Sequence, residues 1–70
     1  METKGLLSPV QKMDWMTRRA KVTVFGKKGI ITEVQENRIK NIDCVYYIWV
    51  QLEGEKRSFP FHPSDVEELK

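Results

Sequence analysis

The chain has very few of the residues that hold small proteins together covalently or through a metal ion. Its 70 residues include one cysteine, Cys44, and one histidine, His62. An internal disulfide and a zinc cluster of the Cys/His type are therefore excluded. A lone thiol in so short a chain is typical of a reducing compartment, so we expect a cytoplasmic protein. We also expect neither a metal ion nor a cofactor.

Long apolar runs are also missing. Residues 1–11 contain a single apolar pair, Leu6 and Leu7, which is too short for a signal peptide or a membrane-spanning helix. Hydrophobic residues make up 40% of the chain and charged residues 31%, as in ordinary globular domains. We expect one soluble domain that does not associate with a membrane and is too small for a multi-step enzyme.

The positive charge is concentrated in the first half of the chain, although the net charge is only +2. Residues 1–32 contain seven bases and two acids, and residues 33–70 contain five bases and eight acids. Such an asymmetry is typical of a surface that faces a partner. The alternative is that strands from both halves interleave, so that the charges average out over the surface.

The N-terminal segment predicts a short helix after a loose leader. Ser8 can cap a helix, and Pro9 fits the first helical position because its missing N–H would be unpaired there in any case. Three apolar residues then recur at helical spacing, namely Val10, Met13 and Met16. We expect a loose leader over 1–7 and a helix over about 9–17, which together make an N-terminal region over 1–19, followed by the main domain over 20–70.

From Ala20 onwards apolar residues recur at every second position, a pattern that predicts strands. The first strand is rich in β-branched residues, and the second alternates less cleanly, which predicts a bulge near Ile31. The elements predicted here are strands at 21–25 and 30–35, a turn at 26–29 and a polar loop at 37–43.

The second half of the chain predicts another hairpin. A strand at 44–53 turns at Gly54-Glu55 or at Glu53-Gly54 and returns over 56–61. With either turn, side-chain alternation divides the residues into the same two faces. The predicted core face carries Ile48, Val50, Leu52, Phe59 and Phe61. The opposite face carries Val45, Tyr47, Trp49, Pro60 and His62.

The chain is predicted to end with a 3₁₀ turn at 62–65 and a short closing strand at 66–69. Five short strands in so small a chain favour a strongly bent antiparallel barrel, because a closed barrel leaves no exposed edges.

Two stretches resemble SH3-like barrels. Residues 22–34 resemble the KOW motif of ribosomal and transcription-elongation proteins, in which a basic turn leads to a glycine and an alternating strand. Residues 59–69 are similar to the last strand, 3₁₀ turn and closing strand of many such barrels. The resemblance implies an all-β fold, an SH3-like five-stranded antiparallel barrel, to which the N-terminal segment adds a short helix.

The sequence offers little for catalysis. His62 lies between Phe61 and Pro63 with no evident base or orienting group, and Cys44 is the first residue of the alternation that is predicted to face the core. Structural roles are expected for both residues, and we expect a protein that is not an enzyme and has no catalytic residues.

The face opposite the predicted core is too apolar to be left bare. Its candidate protein-binding residues are Tyr47, Trp49, Pro60 and His62. Tryptophan and tyrosine are the usual anchors of protein interfaces. In the alternative interpretation, the segment 10–16 folds back over Tyr47 and Trp49 and covers them.

Basic residues around the first hairpin could follow a phosphate backbone. The candidate nucleic-acid-binding residues are Arg18, Arg19, Lys21, Lys27 and Lys28. Our leading hypothesis is a non-enzymatic interaction module that binds a protein or peptide through its aromatic face. The alternative is a KOW-like protein that binds nucleic acid, or associates with ribosomes or the transcription machinery, through its basic hairpin.

Overall fold

The computed structural model describes residues 9–69, which form six antiparallel strands and one 3₁₀ turn. The strands are β1 (Val10–Gln11), β2 (Lys21–Val24), β3 (Lys27–Ile39), β4 (Ile42–Leu52), β5 (Ser58–Phe61) and β6 (Val66–Glu68). The 3₁₀ turn (Pro63–Asp65) lies between β5 and β6. The leader over 1–7 and the cap at Ser8 lie outside the described residues.

The strands form one sheet that curves into half a barrel. Strands β1, β4, β3, β2 and β6 follow one another across the sheet, and β5 also pairs with β4. The strand β4 is central because it pairs with β3 along one edge and with both β1 and β5 along the other. The expectation of an antiparallel all-β fold is confirmed.

The predicted helix over 9–17 is wrong. Val10 and Gln11 instead pair with Val45 and Cys44 at the edge of β4, and the chain then turns at Met13, whose carbonyl accepts the N–H of Met16. A nine-residue helix is marginal in water, so tertiary contacts decide the conformation of such a segment. Residues 9–69 contain no α-helix.

The first hairpin turns earlier than the predicted 26–29. Phe25 and Gly26 both have positive φ, at 51° and 83°, as a two-residue type I′ turn requires. Lys27 to Gly29 therefore belong to β3. Gly29 is needed there for space rather than for its backbone angles, because a Cβ would lie 2.7 Å from Val50 Cγ1 and 2.8 Å from the Gln51 carbonyl oxygen.

The predicted polar loop at 37–43 is also wrong. The strands β3 and β4 continue through it and close at a turn of Lys40 and Asn41, whose φ values are 51° and 68°. Ile39 and Ile42 face each other across this turn, and Ile42 remains 47% exposed. Residues 36–45 of β3 and β4 therefore form a two-stranded arm, which has β1 on one side.

Two irregularities interrupt the pairing of β3 with β4. Ile31 pairs with Val50 but Glu33 with Trp49, so Thr32 is the extra residue of a bulge in β3, close to the predicted position. Gln35 pairs with Tyr47 and Glu36 with Val45, so Tyr46 is the extra residue of a second bulge, in β4. Each bulge shifts the alternation by one residue.

The second hairpin has the predicted register but a longer loop. Val50 pairs with Phe59 and Ile48 with Phe61, while the residues between β4 and β5 form a loop over 53–57. Phe59, predicted to be in the core, is 44% exposed. The physical reason is that β5 lies at the edge of an open half-barrel, where its inner side is incompletely covered.

The predicted 3₁₀ turn and closing strand are confirmed. Val66 follows the turn directly and pairs with Val24, so that β6 lies beside β2. This pairing brings the last strand to the first hairpin. Phe61 and Phe25 also meet there, with ring centroids 6.4 Å apart in an edge-to-face arrangement.

The core lies on the concave side of the half-barrel. Met16 is only 2% exposed and packs there although it precedes the main sheet in the chain. The buried core residues are Met16, Val22, Val24, Ile31, Val45, Ile48, Val50 and Val66. Trp15, Ala20, Val34, Leu52 and Phe61 pack around them.

Truncation of Met16 tests the role of the N-terminal segment. Met16→Ala should lower the free energy of unfolding by about 2–4 kcal/mol, because it leaves a cavity in the core. Met13→Ala is the matched control, since Met13 is 54% exposed in the same segment. Urea titrations followed by circular dichroism measure both. Equal effects of the two variants would contradict the placement of Met16.

The two roles of glycine can be separated with one substitution at two sites. Gly29→Asn should destabilise the protein by about 1–3 kcal/mol or more, because the site has no room for a Cβ. Gly54→Asn should be nearly neutral, since Gly54 has a φ of 86° with open space around it, and asparagine tolerates this conformation. Thermal melts of both variants give the comparison, and a neutral Gly29→Asn would refute the close packing.

Candidate functional site

The candidate site lies on the convex side of the sheet, opposite the core. Ile48 and Val50 point inward, so Trp49 between them points outward. Trp49 faces Pro60 on β5 and Glu33 on β3, and Tyr47 faces Gln35. We define the aromatic face as Tyr47, Trp49 and Pro60.

Exposure differs among the three residues of the aromatic face. Tyr47 and Trp49 are partly buried, and Pro60 is exposed. The rings are thus supported by the sheet but remain open to a partner. Val45, predicted on the same face, is fully buried, because the bulge at Tyr46 turns it into the core.

Polar side chains border the aromatic face. Arg18 Nη2 lies 2.6 Å from Glu33 Oε1, in an ion pair next to Trp49. Thr32 Oγ1 lies 2.7 Å from Ser58 Oγ and 3.3 Å from the carbonyl oxygen of Trp49. The Thr32 hydroxyl therefore links β3 to β5 across the backbone of β4.

His62 follows β5 and begins the 3₁₀ turn. Its Nδ1 accepts the N–H of Ser64 at 3.2 Å and lies 2.6 Å from Ser64 Oγ. This contact is a capping interaction, in line with the expected structural role. A contribution of His62 to binding stays a prediction.

The N-terminal segment does not follow the path proposed for a cover of Tyr47 and Trp49. Met16 is inside the core and Trp15 packs against it, so both lie on the side opposite Trp49. Val10 pairs with the buried Val45 at the edge of β4. The segment therefore closes the concave side of the half-barrel.

The five predicted nucleic-acid-binding residues do not form one patch. Lys21 and Lys28 line the same cleft of about 490 Å³, between the first hairpin and the β4–β5 loop. Glu53 and Glu55 line it too, so two acids stand beside the two bases.

The other three bases are dispersed. Lys27 pairs with the buried Val24, so it projects from the concave side and away from Lys28. Arg18 is engaged by Glu33. Arg19 lies in the preceding turn, where its backbone N–H donates to the carbonyl of Ile31.

Among residues 9–69 no group of three or more histidine, cysteine, aspartate or glutamate side chains is arranged to hold a metal ion. The same part of the chain contains no helix with the length and apolar character needed to cross a membrane. Cys44 is a free, partly buried thiol, whose Sγ lies 3.7 Å from the Ile42 carbonyl oxygen.

Sequence reasoning missed the polar border of the aromatic face. Glu33 and Thr32 were simply part of a strand, and their positions beside Trp49 depend on the bulge in β3. The alternation after Ile31 signals that a bulge exists, but not which residue is the extra one. Phe25, at the tip of the first hairpin, was also missed as an exposed residue; it is 76% exposed.

Comparison with known proteins gives no relative, since no family model, curated protein or solved structure matches the chain.

Replacement of His62 tests its capping role. His62→Ala should lower the free energy of unfolding by about 0.5–2 kcal/mol through loss of the contact with Ser64. His62→Asn keeps a side-chain acceptor suited to this position and should lose less. Thermal melts of the two variants check this order, and a more stable alanine variant would contradict it.

Proposed function

We propose that this protein is a non-enzymatic interaction module with an SH3-like barrel that binds a protein or peptide through its aromatic face. The observation that carries the proposal is the cross-strand pair of Trp49 and Pro60, which lies on the convex side with Tyr47 beside it. Its lone free thiol, Cys44, favours the cytoplasm as the place of action.

The order of the strands supports the SH3-like assignment. Three successive hairpins, a 3₁₀ turn and a closing strand that returns to β2 follow one another from Lys21 to Glu68. This is the arrangement that the resemblance implies for the end of the chain. In this proposal β1 is an additional strand at the edge of β4.

The composition of the surface supports a protein partner. Protein interfaces combine an apolar, aromatic centre with a polar rim. Here the centre is Trp49 with Pro60, and the rim contains the Arg18–Glu33 ion pair and the Thr32–Ser58 hydrogen bond. A partner that buries the rings would meet charges and hydroxyl groups only around them.

Rigidity of the support also favours binding. Trp49 on the central strand β4 is paired with Glu33 on one edge and with Pro60 on the other, so its backbone is fixed before a partner arrives. Tyr47 is paired on the β3 side, with Gln35. Partly buried rings lose little side-chain freedom on binding, which lowers the entropic cost of association. Such rings are the usual energetic centres of interfaces.

The nucleic-acid alternative has one favourable observation, namely that Lys21 and Lys28 line one cleft. Phosphate-tracking surfaces need several bases in a row. In the cleft, the negative charges of Glu53 and Glu55 lie beside the two lysines. Arg18 is already paired with Glu33. The distribution of charge thus favours the protein or peptide partner.

A random peptide display library tests the proposal. The full chain should select peptides that bind with micromolar or better affinity, and Trp49→Ala should weaken the binding of the selected peptides by about tenfold or more, without loss of folding. Phe59→Ala is the matched control, because Phe59 is exposed on the other face of the sheet. Calorimetry and melting temperatures provide the two readouts.

The nucleic-acid alternative is tested in parallel with labelled single-stranded RNA at low salt. We expect little binding. Binding that weakens steeply with salt would favour the alternative if the slope of log affinity against log salt concentration falls by about 0.7–0.9 for each of Lys21→Ala and Lys28→Ala.

For the peptide experiment, selected peptides that bind the Trp49→Ala variant with unchanged affinity would contradict the aromatic face as the binding site.

A further inference from the structure

The arm formed by β3 and β4 has an unpaired edge. The strand β2 pairs with β3 only from Lys27 to Ile30, and no other strand in the described part of the chain pairs with that edge further along. Residues 36–39 of β3 are therefore bonded through their backbone to β4 alone. Unpaired strand edges are templates for pairing with another chain.

The turn at the end of the arm determines which backbone groups of this edge point outward. In a two-residue hairpin the pair next to the turn, here Ile39 with Ile42, is hydrogen-bonded, so the N–H and C=O groups of Ile39 point toward β4. The backbone groups of successive residues in a strand point toward opposite edges. The N–H and C=O groups of Arg38 and Glu36 therefore face away from β4. In agreement, the N–H of Arg38 donates to Asn37 Oδ1 at 2.8 Å instead of to β4.

The charges of this edge are self-complementary in a single register. In an antiparallel pair of two such edges centred on Asn37, Glu36 of each chain faces Arg38 of the other. A shift by two residues in either direction places Glu36 opposite Glu36, or Arg38 opposite Arg38. Like charges directly opposite each other destabilise strand pairs. The outward backbone groups of Glu36 and Arg38 match in the Asn37-centred register as well.

Ion pairs within one chain extend this complementarity. Lys12 Nζ lies 3.1 Å from Glu36 Oε2, and Arg38 Nε lies 3.3 Å from Asp43 Oδ1. Glu36 and Arg38 are on the same side of β3, two residues apart. Pairing of two edges would thus join four alternating charges in a row, from Asp43 and Arg38 of one chain to Glu36 and Lys12 of the other.

We propose that this edge binds the same edge of a second copy of the chain, forming a two-fold antiparallel dimer centred on Asn37. In the dimer the N–H of Arg38 donates to the partner chain, and the Asn37 side chain that held it is released. The two sheets become continuous through their arms. This dimer is independent of the proposed function, because it leaves Trp49 and Pro60 on the outer face of each copy.

Charge reversal in one chain at a time tests the dimer in the full-length protein. Sedimentation equilibrium should show the parent protein, of 8.3 kDa per chain, reaching twice that mass with rising concentration. Glu36→Lys and Arg38→Glu should each weaken self-association by about tenfold or more, because each places like charges opposite one another twice. An equimolar mixture of the two variants should recover the dimer, since every cross-chain pair is then of opposite charge.

The mixture separates the interface from effects within one chain, because both variants lose an internal ion pair and neither regains it on mixing. Glu67→Lys is the matched control, as it makes the same charge change on the edge strand β6 and should dimerise as the parent does. Hydrogen exchange of the parent gives a readout without substitutions: the amides of Glu36 and Arg38 should become protected as concentration rises.

Three results would overturn the proposal. The first is a parent protein that remains monomeric at millimolar concentration. The second is a mixture of the two variants that does not associate more strongly than either variant alone. The third is an association that leaves the exchange of the Glu36 and Arg38 amides unchanged.

Discussion

The pairing of β3 with β4 is the constraint on which the rest of the structure depends. These are the two longest strands, and β1, β2 and β5 all pair with one of them. Bulges at Thr32 and Tyr46 interrupt their alternation. Because a bulge shifts the alternation by one residue and increases the local twist, the two bulges allow the sheet to bend around its core while Val45 and Ile48 both point inward.

The same pairing separates three surfaces. The inner side of the two strands contributes core residues, and Met16, from the segment that precedes β2, packs among them. The outer side presents Trp49 between its neighbours on β3 and β5. The far end extends beyond β2 and β5 as a charged arm, with β1 along one of its edges. The two proposed contacts, with a protein partner at the outer side and with a second copy at the arm, therefore involve different parts of the β3–β4 hairpin.

Much of the fold could be predicted from the sequence where local signals agree with tertiary contacts. The register of Ile48 with Phe61 followed from the alternation and the glycine turn, and it is confirmed. The N-terminal segment could not be predicted in this way, because its local pattern favours a helix while Val10 pairs with β4. The bulge at Tyr46 left no local signal, so Val45 was assigned to the wrong face. The aromatic residues were found from alternation alone, whereas the polar border depends on pairings across strands.

The most direct test of this account is the set of nuclear Overhauser contacts made by Val45 and Trp49. The bulged register predicts that the Val45 methyl groups contact core residues such as Ile48, and that the Trp49 ring contacts Pro60 across the strand pair. Contacts of Val45 with Pro60 or with the Trp49 ring would place Val45 on the outer face. That result would contradict the bulge at Tyr46 and the surface built on it.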